Sequence, residues 1–164
     1  MSLVFLDCET TGLEDWHEVT EVAWSFAEEH PVWSLIVPHT GRRADKTALD
    51  MQGYGPRELW AHHNWCSPED LRQLTESLRD QTICAANIVF DDAKVSTLLG
   101  YPGMEKPWHY RRMCFESWAA GYLGMPITAS MRDISAGMRR LGSEHPEPDH
   151  TAAGDVRAMK EMHG

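Results

Sequence analysis

The chain has 164 residues, enough for one domain with a sizeable core, and its 42% apolar content excludes a disordered polymer. A formal charge of −10 argues against gripping long nucleic acid through a basic surface, but it leaves room for a partner whose phosphates meet bound cations. No apolar run approaches the roughly 18 residues of a membrane span. The first residues lack the basic leader of a secretory signal, and Cys8, Cys66, Cys84 and Cys114 form no C-x-x-C pair, so reduced thiols and a cytoplasmic location are expected.

In chain order, Leu3–Cys8 reads as a central strand, nearly continuous in apolar residues. Val19–Phe26 and Val32–Val37 read as the second and third strands, with Gly12 in the turn between the first two. The stretch "HTGRRADKTALDMQGYG" reads as a glycine-punctuated loop. Ser67 is a good N-cap, with Pro68 at the first helical position and Asp70 three residues on, so a helix with a Leu71/Leu74/Leu78 stripe should follow. Then come a strand over Thr82–Ala86, a helix over Phe90–Leu99 closed by Gly100, and a strand over Trp108–Met113. A helix through Tyr122, another over Met131–Leu141 ending at Gly142, the proline-broken "SEHPEPD" and a last helix over Thr151–Met162 complete the chain. Strands first, then strands alternating with helices, predict one mixed α/β sheet packed by helices within a single domain spanning 1–164.

Residues two apart in a strand share a face, so Asp7 and Glu9 project together from the end of the first strand. Two like charges held that close repel, burial raises the cost, and a cation is the natural remedy. The helices repeat the pattern. Asp91 shares a face with Val95 and Leu98, while Asp92 is turned about 100° away. Asp155 lies with Ala152, Val156 and Met159. An Asp in a first helical turn often only complements the helix dipole, which is the plainer reading of Asp91 taken alone. Asp155 reads as mid-helix, where that explanation fails. Asp7 and Glu9 alone would fit a solvated strand end. Together the four make a site for hard divalent cations held by oxygen.

"LDCETTGL" carries D-x-E-T-T-G-L, six fixed residues whose chance occurrence in a chain this long is on the order of 10⁻⁶. It resembles the first motif of the DnaQ-like, or DEDDh, family of 3′–5′ exonucleases. "ANIVFDDAKV" resembles the second motif and "HTAAGDVRA" the third, a His five residues before an Asp. "EVTEVAWS" resembles the family's second strand, and "ALDMQGYGPREL" its loop and helix before the second motif. The motifs occur in the family's order and span nearly the whole chain. The resemblance implies an α/β, ribonuclease H-like fold, a five-stranded mixed sheet flanked by helices. It implies Asp7, Glu9, Asp91 and Asp155 as metal-binding acids, His150 as general base, and Thr10, Thr11, Leu13 and Asn87 around the terminal nucleotide. The cofactors would be two Mg²⁺ or Mn²⁺ ions, and the partners 3′ ends of DNA or RNA, with no membrane. The family often dimerises, so a homodimer is among the expectations. Two departures stand out: Ala86 precedes Asn87 where the family commonly has His, and Gly154 sits inside the last helix, either as room for substrate or as loose packing.

In one helix His150 and Asp155 would be about 140° apart, so His150 is expected before the helix, with Pro146 and Pro148 in its lead-in. Other features have plain readings. "HHNWC" (His62, His63, Cys66) invites zinc but has no partner pair. Arg42-Arg43, Arg111-Arg112 and Arg139-Arg140 suit phosphate steering or a solvated face. Trp16 is the tryptophan best placed to stack on a base. Nine residues follow Asp155, so a free-standing enzyme without a polymerase-binding extension is expected. Two other functions fit the same residues: a non-catalytic binding module on this fold, and an enzyme for very short oligonucleotides.

Overall fold

The computed structural model describes residues 1–29 and 31–164. Strands β1 (Leu3–Thr10), β2 (Val19–Phe26), β3 (Trp33–Ile36), β4 (Thr82–Ala85) and β5 (Met113–Cys114) form one sheet in the order β3-β2-β1-β4-β5. Pairing is antiparallel for β1/β2 and β2/β3, and parallel for β1/β4 and β4/β5. This is the five-stranded mixed sheet that the sequence predicts. The apolar run of β1 takes the central place, since a strand covered on both faces needs apolar side chains on both.

Period-2 alternation splits that run between two cores. Val4, Leu6 and Cys8 face α2 (Pro68–Leu78) and α3 (Ile88–Leu98), packing with Leu74, Leu78 and Val95. Phe5 faces α4 (Phe115–Leu123), α5 (Met131–Arg140) and α6 (Ala152–His163), packing with Phe115, Ile134, Val156 and Met159. Asp7 and Glu9 continue the Phe5 register, so they emerge on the α6 side at the end of β1. The register shift between Glu9 and Thr10 ends regular pairing there.

Caps explain the helix starts. Ser67 and Ser130 each form a reciprocal capping box, with Asp70 and Asp133 respectively, and Pro68 opens α2 as expected. The stretch read as loop contains a short helix, α1 (Lys46–Met51), nucleated by Asp45, whose side chain accepts from Thr47 N. Helix α3 begins at Ile88, two residues before its expected start, with Asn87 at the N-cap position.

The strand expected over Trp108–Met113 shrinks to Met113–Cys114; before it, two backbone bonds, Asp80 N to Pro107 O and His109 N to Gln81 O, both 2.9 Å, are joined by side-chain contacts. Asp92 points away from Asp91, as helical geometry requires, yet it too is buried. It accepts from the Trp108 indole at 2.9 Å and pairs with Lys106 and Arg112, pinning residues 106–112 against α3. Removing a buried carboxylate while its donors stay costs the bonds and strands the indole N–H. Asp92→Ala should therefore lose about 2–3 kcal/mol in urea unfolding, moderated because Lys106 and Arg112 remain reachable by water. A loss under about 0.5 kcal/mol, typical of surface sites, would refute this role.

Candidate active site

The site forms where β1 runs out beneath the start of α6. One carboxylate oxygen from each of Asp7, Glu9 and Asp155 lies within 4.8 Å of the other two, and this is the one such group of three or more potential metal ligands among the described residues. The "HHNWC" residues form none. His62 instead stacks on Trp65 with ring centroids 4.1 Å apart.

Asp155 is not mid-helix. Helix α6 begins at Ala152, so Asp155 is in its first turn. It does more there than complement a dipole. Its Oδ1 accepts from the backbone N–H groups of Asp149 at 2.9 Å and His150 at 3.3 Å, folding the incoming chain back over the helix end. His150 therefore precedes the helix, as the spacing predicts, on a turn with φ of 58° and with an exposed side chain. Together with Asp155, Glu116, Arg132 and Pro148 it lines a cleft of about 580 Å³. Gly154 has its own explanation. A Cβ there would lie 2.0 Å from Asp149 Oδ1, so the glycine makes room for the Asp149 side chain, which caps Thr151 through both N–H and hydroxyl.

Asp91 arrives from the other face of the sheet, on α3. It is buried, and its Oδ1 accepts from Cys8 N at 3.1 Å and contacts Cys8 Sγ at 3.3 Å. The structure thus gathers Asp7, Glu9 and Asp155 tightly and holds Asp91 behind Cys8, outside that group.

Residues 10–18 form a self-bonded loop. Thr10 Oγ1 donates to Gly12 O at 2.7 Å, and Thr11 Oγ1 accepts from Glu18 N at 2.9 Å, so both hydroxyls are turned into the loop. Gly12 is required: with φ of 153°, a Cβ would meet the His17 ring at 2.5 Å. Lys94 of α3 clasps the loop through the carbonyls of Glu14 and His17. Leu13 and Trp16 are left standing in solvent, 81% and 59% exposed. Asn87 is exposed and makes no side-chain cap bond. Among the arginine pairs, Arg112 is engaged by Asp92 and Arg139 by Glu147.

One residue near the site lies in "EVTEVAWS", a stretch whose resemblance implies a strand but singles out no site residue. Glu21, directly opposite Glu9 in the β1/β2 ladder, is a further buried carboxylate, and it pairs with Arg57 at 2.7 Å. Its place on a strand rich in apolar residues was the available clue.

The electrostatics follow from this crowding. Burial, then Asp91 and Asp155, push the Asp7 carboxyl well above its ordinary range. Burial, then Asp155 and Glu21, raise Glu9 from 4.5 to about 8, against a lowering by Arg57. Burial raises Asp91 to about 7 despite the Cys8 bonds. Asp155 is also raised by burial, opposed by the amides of Asp149 and His150. All donors in the cluster are carboxylate oxygens, the set that hard divalent cations prefer. Cations would discharge the repulsion that protons otherwise relieve, so the residues fit such ions.

No protein-family profile matches the chain, and no curated protein matches it. Solved structures do. E. coli exonuclease I bound to single-stranded DNA in its zinc-ion form superposes with a TM-score of 0.72 at 18% identity, covering 99% of this chain and 39% of that one. The same enzyme with a dT13 oligonucleotide gives 0.72 at 17%, covering 99% and 40%. A full-length 3′-exonuclease gives 0.67 at 12%, covering 98% and 79%. The fold is the ribonuclease H-like fold of these exonucleases. This chain spans about two fifths of the exonuclease I chains.

Protons and cations compete for the cluster, which sets a pH signature. Unfolded carboxylates ionise near 4.5, whereas the metal-free fold keeps Glu9 protonated up to about 8. The folded state then binds more protons, so that stability is complete at low pH and drains away as pH rises through this window. In chelator, the melting temperature should fall between about pH 5 and about pH 8.5, and millimolar Mg²⁺ or Mn²⁺ should raise it most at the alkaline end. A cation effect independent of pH would show that the ions bind elsewhere.

Proposed function

We propose that the protein is a metal-dependent 3′–5′ exonuclease of the DnaQ-like DEDDh type, one domain over 1–164, acting on single-stranded DNA or RNA and releasing nucleoside 5′-monophosphates. The observation that carries this reading is the convergence of Asp7, Glu9 and Asp155 within 4.8 Å, beside a histidine on the turn that Asp155 itself shapes. The motif residues supply that convergence, and the exonuclease fold supports it. The exonuclease I structures with single-stranded DNA favour DNA as the first substrate to try. No helix among the described residues is long and apolar enough to cross a membrane.

In this reading Asp7, Glu9, Asp91 and Asp155 hold two Mg²⁺ or Mn²⁺ ions. The ions supply charge neutralisation at the phosphate and the leaving oxygen, and a more acidic water. His150 takes a proton from the attacking water, whose oxygen bonds to phosphorus as the bond to the 3′ oxygen of the preceding nucleotide breaks. That oxygen is protonated from solvent. The exposed position of His150 suits this, since it can give its proton back to solvent before the next turnover. Leu13 and Asn87 are open to contact the terminal nucleotide, and Thr10 and Thr11 shape the loop that presents Leu13. An enzyme that reads a terminus needs few phosphate contacts, which reconciles the activity with a charge of −10.

The test uses 5′-labelled single-stranded DNA and RNA of matched sequence with Mn²⁺ or Mg²⁺. The expected result is a ladder shortening from the 3′ end, abolished by chelator and by Asp7→Ala. His150→Ala should lower kcat by about 10²-fold or more while Mn²⁺ binding persists. Full activity in His150→Ala would remove that residue from the chemistry. Metal binding without degradation of either polymer would favour the binding module, and activity restricted to dinucleotides the short-substrate enzyme.

A further inference from the structure

The clustered carboxylates belong to two elements that no backbone ladder joins, β1 and α6. A buried chain of polar contacts joins them instead. It starts at the carbonyl of Thr10, the residue after Glu9, which accepts from Gln52 Nε2 at 2.8 Å. Gln52 is 1% exposed, and its Oε1 accepts from Thr20 Oγ1 at 2.5 Å, fixing the amide from the β2 side. The Gln52 carbonyl accepts from Arg57 Nη1 at 3.0 Å, and Arg57 Nη2 donates to Glu21 Oε2 at 2.7 Å. That same oxygen accepts from the backbone N–H of Ala152 at 3.2 Å, while Ser34 Oγ holds Oε1 at 2.8 Å. Ala152 is the first residue of α6, two after His150 and three before Asp155.

We propose that Glu21, with Arg57 and Gln52, is a positioning residue that sets the distance of Asp155 from Asp7 and Glu9 and the presentation of His150. The role rests on the exonuclease reading for its catalytic consequence and on the metal cluster alone for its structural one. Glu21 does not itself read as a ligand, because both its oxygens have protein donors. A stabilising role alone fits poorly. Glu21 places one more carboxylate opposite Glu9 in an already crowded cluster, and apolar replacements of buried ion pairs are often neutral or better for stability. What a carboxylate delivers here is direction. A helix start offers unpartnered N–H groups, and an acceptor fixed on the neighbouring strand captures one of them at a defined point. Thr151 and Asp149 cap the helix from within its own chain, but they move with it. Glu21 is the carboxylate that ties the helix start to the sheet.

The experiment compares the wild-type chain with Glu21→Gln, Glu21→Ala and Arg57→Met. Three quantities are measured: amide hydrogen exchange of the metal-free proteins, Mn²⁺ affinity by calorimetry, and kcat and KM on a single-stranded oligonucleotide. In Glu21→Ala, exchange should quicken over residues 149–153 while α2 stays protected. Mn²⁺ affinity should fall about tenfold or more, as for lost outer-sphere partners of metal ligands. A shift of about an ångström in the reacting groups should lower kcat about 10²-fold, with KM changed less than about threefold because the terminal-nucleotide loop is untouched. Glu21→Gln keeps an oxygen for Arg57 and Ala152 and should restore most of each value. Arg57→Met, at a partly exposed position, keeps the test open if Glu21→Ala does not fold, and it should give an intermediate loss. Unchanged exchange and Mn²⁺ affinity in both Glu21→Ala and Arg57→Met would overturn the proposal. A loss in Glu21→Gln as large as in Glu21→Ala would also overturn it, by assigning the effect to charge. Should the wild type hydrolyse no substrate, the exonuclease reading fails, while exchange and Mn²⁺ affinity still decide the positioning role.

Discussion

Repulsion among carboxylates at the end of one buried strand is the constraint on which this molecule is organised. Asp7 and Glu9 cannot both be charged in that setting without a counter-charge, and Asp155 is brought in to make the conflict worse. A fold selected only for stability would place such groups in water. Here the surrounding structure is arranged to hold them together. An apolar strand leaves no slack, a helix start is pinned above it, and Arg57 is the cation placed to relieve Glu9. On the proposed function, the repulsion in the cluster is what a divalent cation would relieve, so affinity for metal and instability without it would have one origin.

The two faces of the sheet divide the work. The α6 face carries the three gathered acids and the histidine turn. The α3 face carries Asp91, bound to Cys8, and Lys94, which fastens the loop after β1. Helix α3 is itself anchored through Asp92, and the two neighbours in the chain diverge: Asp91 faces Cys8 on β1, and Asp92 faces a clasp of Trp108, Lys106 and Arg112. Adjacent residues of the same type thus have opposite electrostatic settings. Asp92 is satisfied by cations already present, and Asp91 is left raised by burial.

Much of this was legible in the sequence, because local rules sufficed. The apolar run of β1, the Ser67 capping box and the 3.6-residue stripes located most elements to within a few residues, and the spacing of His150 from Asp155 placed the histidine ahead of its helix. What escaped depended on contacts distant in the chain. The strand expected over Trp108–Met113 is only Met113–Cys114, its first part held partly by a carboxylate some twenty residues earlier, and the short helix at Lys46–Met51 was hidden among loop-forming neighbours. Gly154 could not be read without the Asp149 side chain that occupies its missing Cβ. Glu21 looked like one polar residue in a strand, and only the β1/β2 register sets it opposite Glu9.

The order of elements has a consequence for synthesis. Every strand, and the helix bearing Asp91, lies before residue 115, whereas His150 lies just ahead of α6, the last element described, and Asp155 in its first turn. A chain emerging from the ribosome can assemble the sheet and lodge Asp7, Glu9 and Asp91 long before the remaining acid exists. The carboxylate cluster therefore closes late and in one step, when α6 docks. A nascent or truncated chain would carry the cost of its buried acids without the carboxylate that completes their cluster.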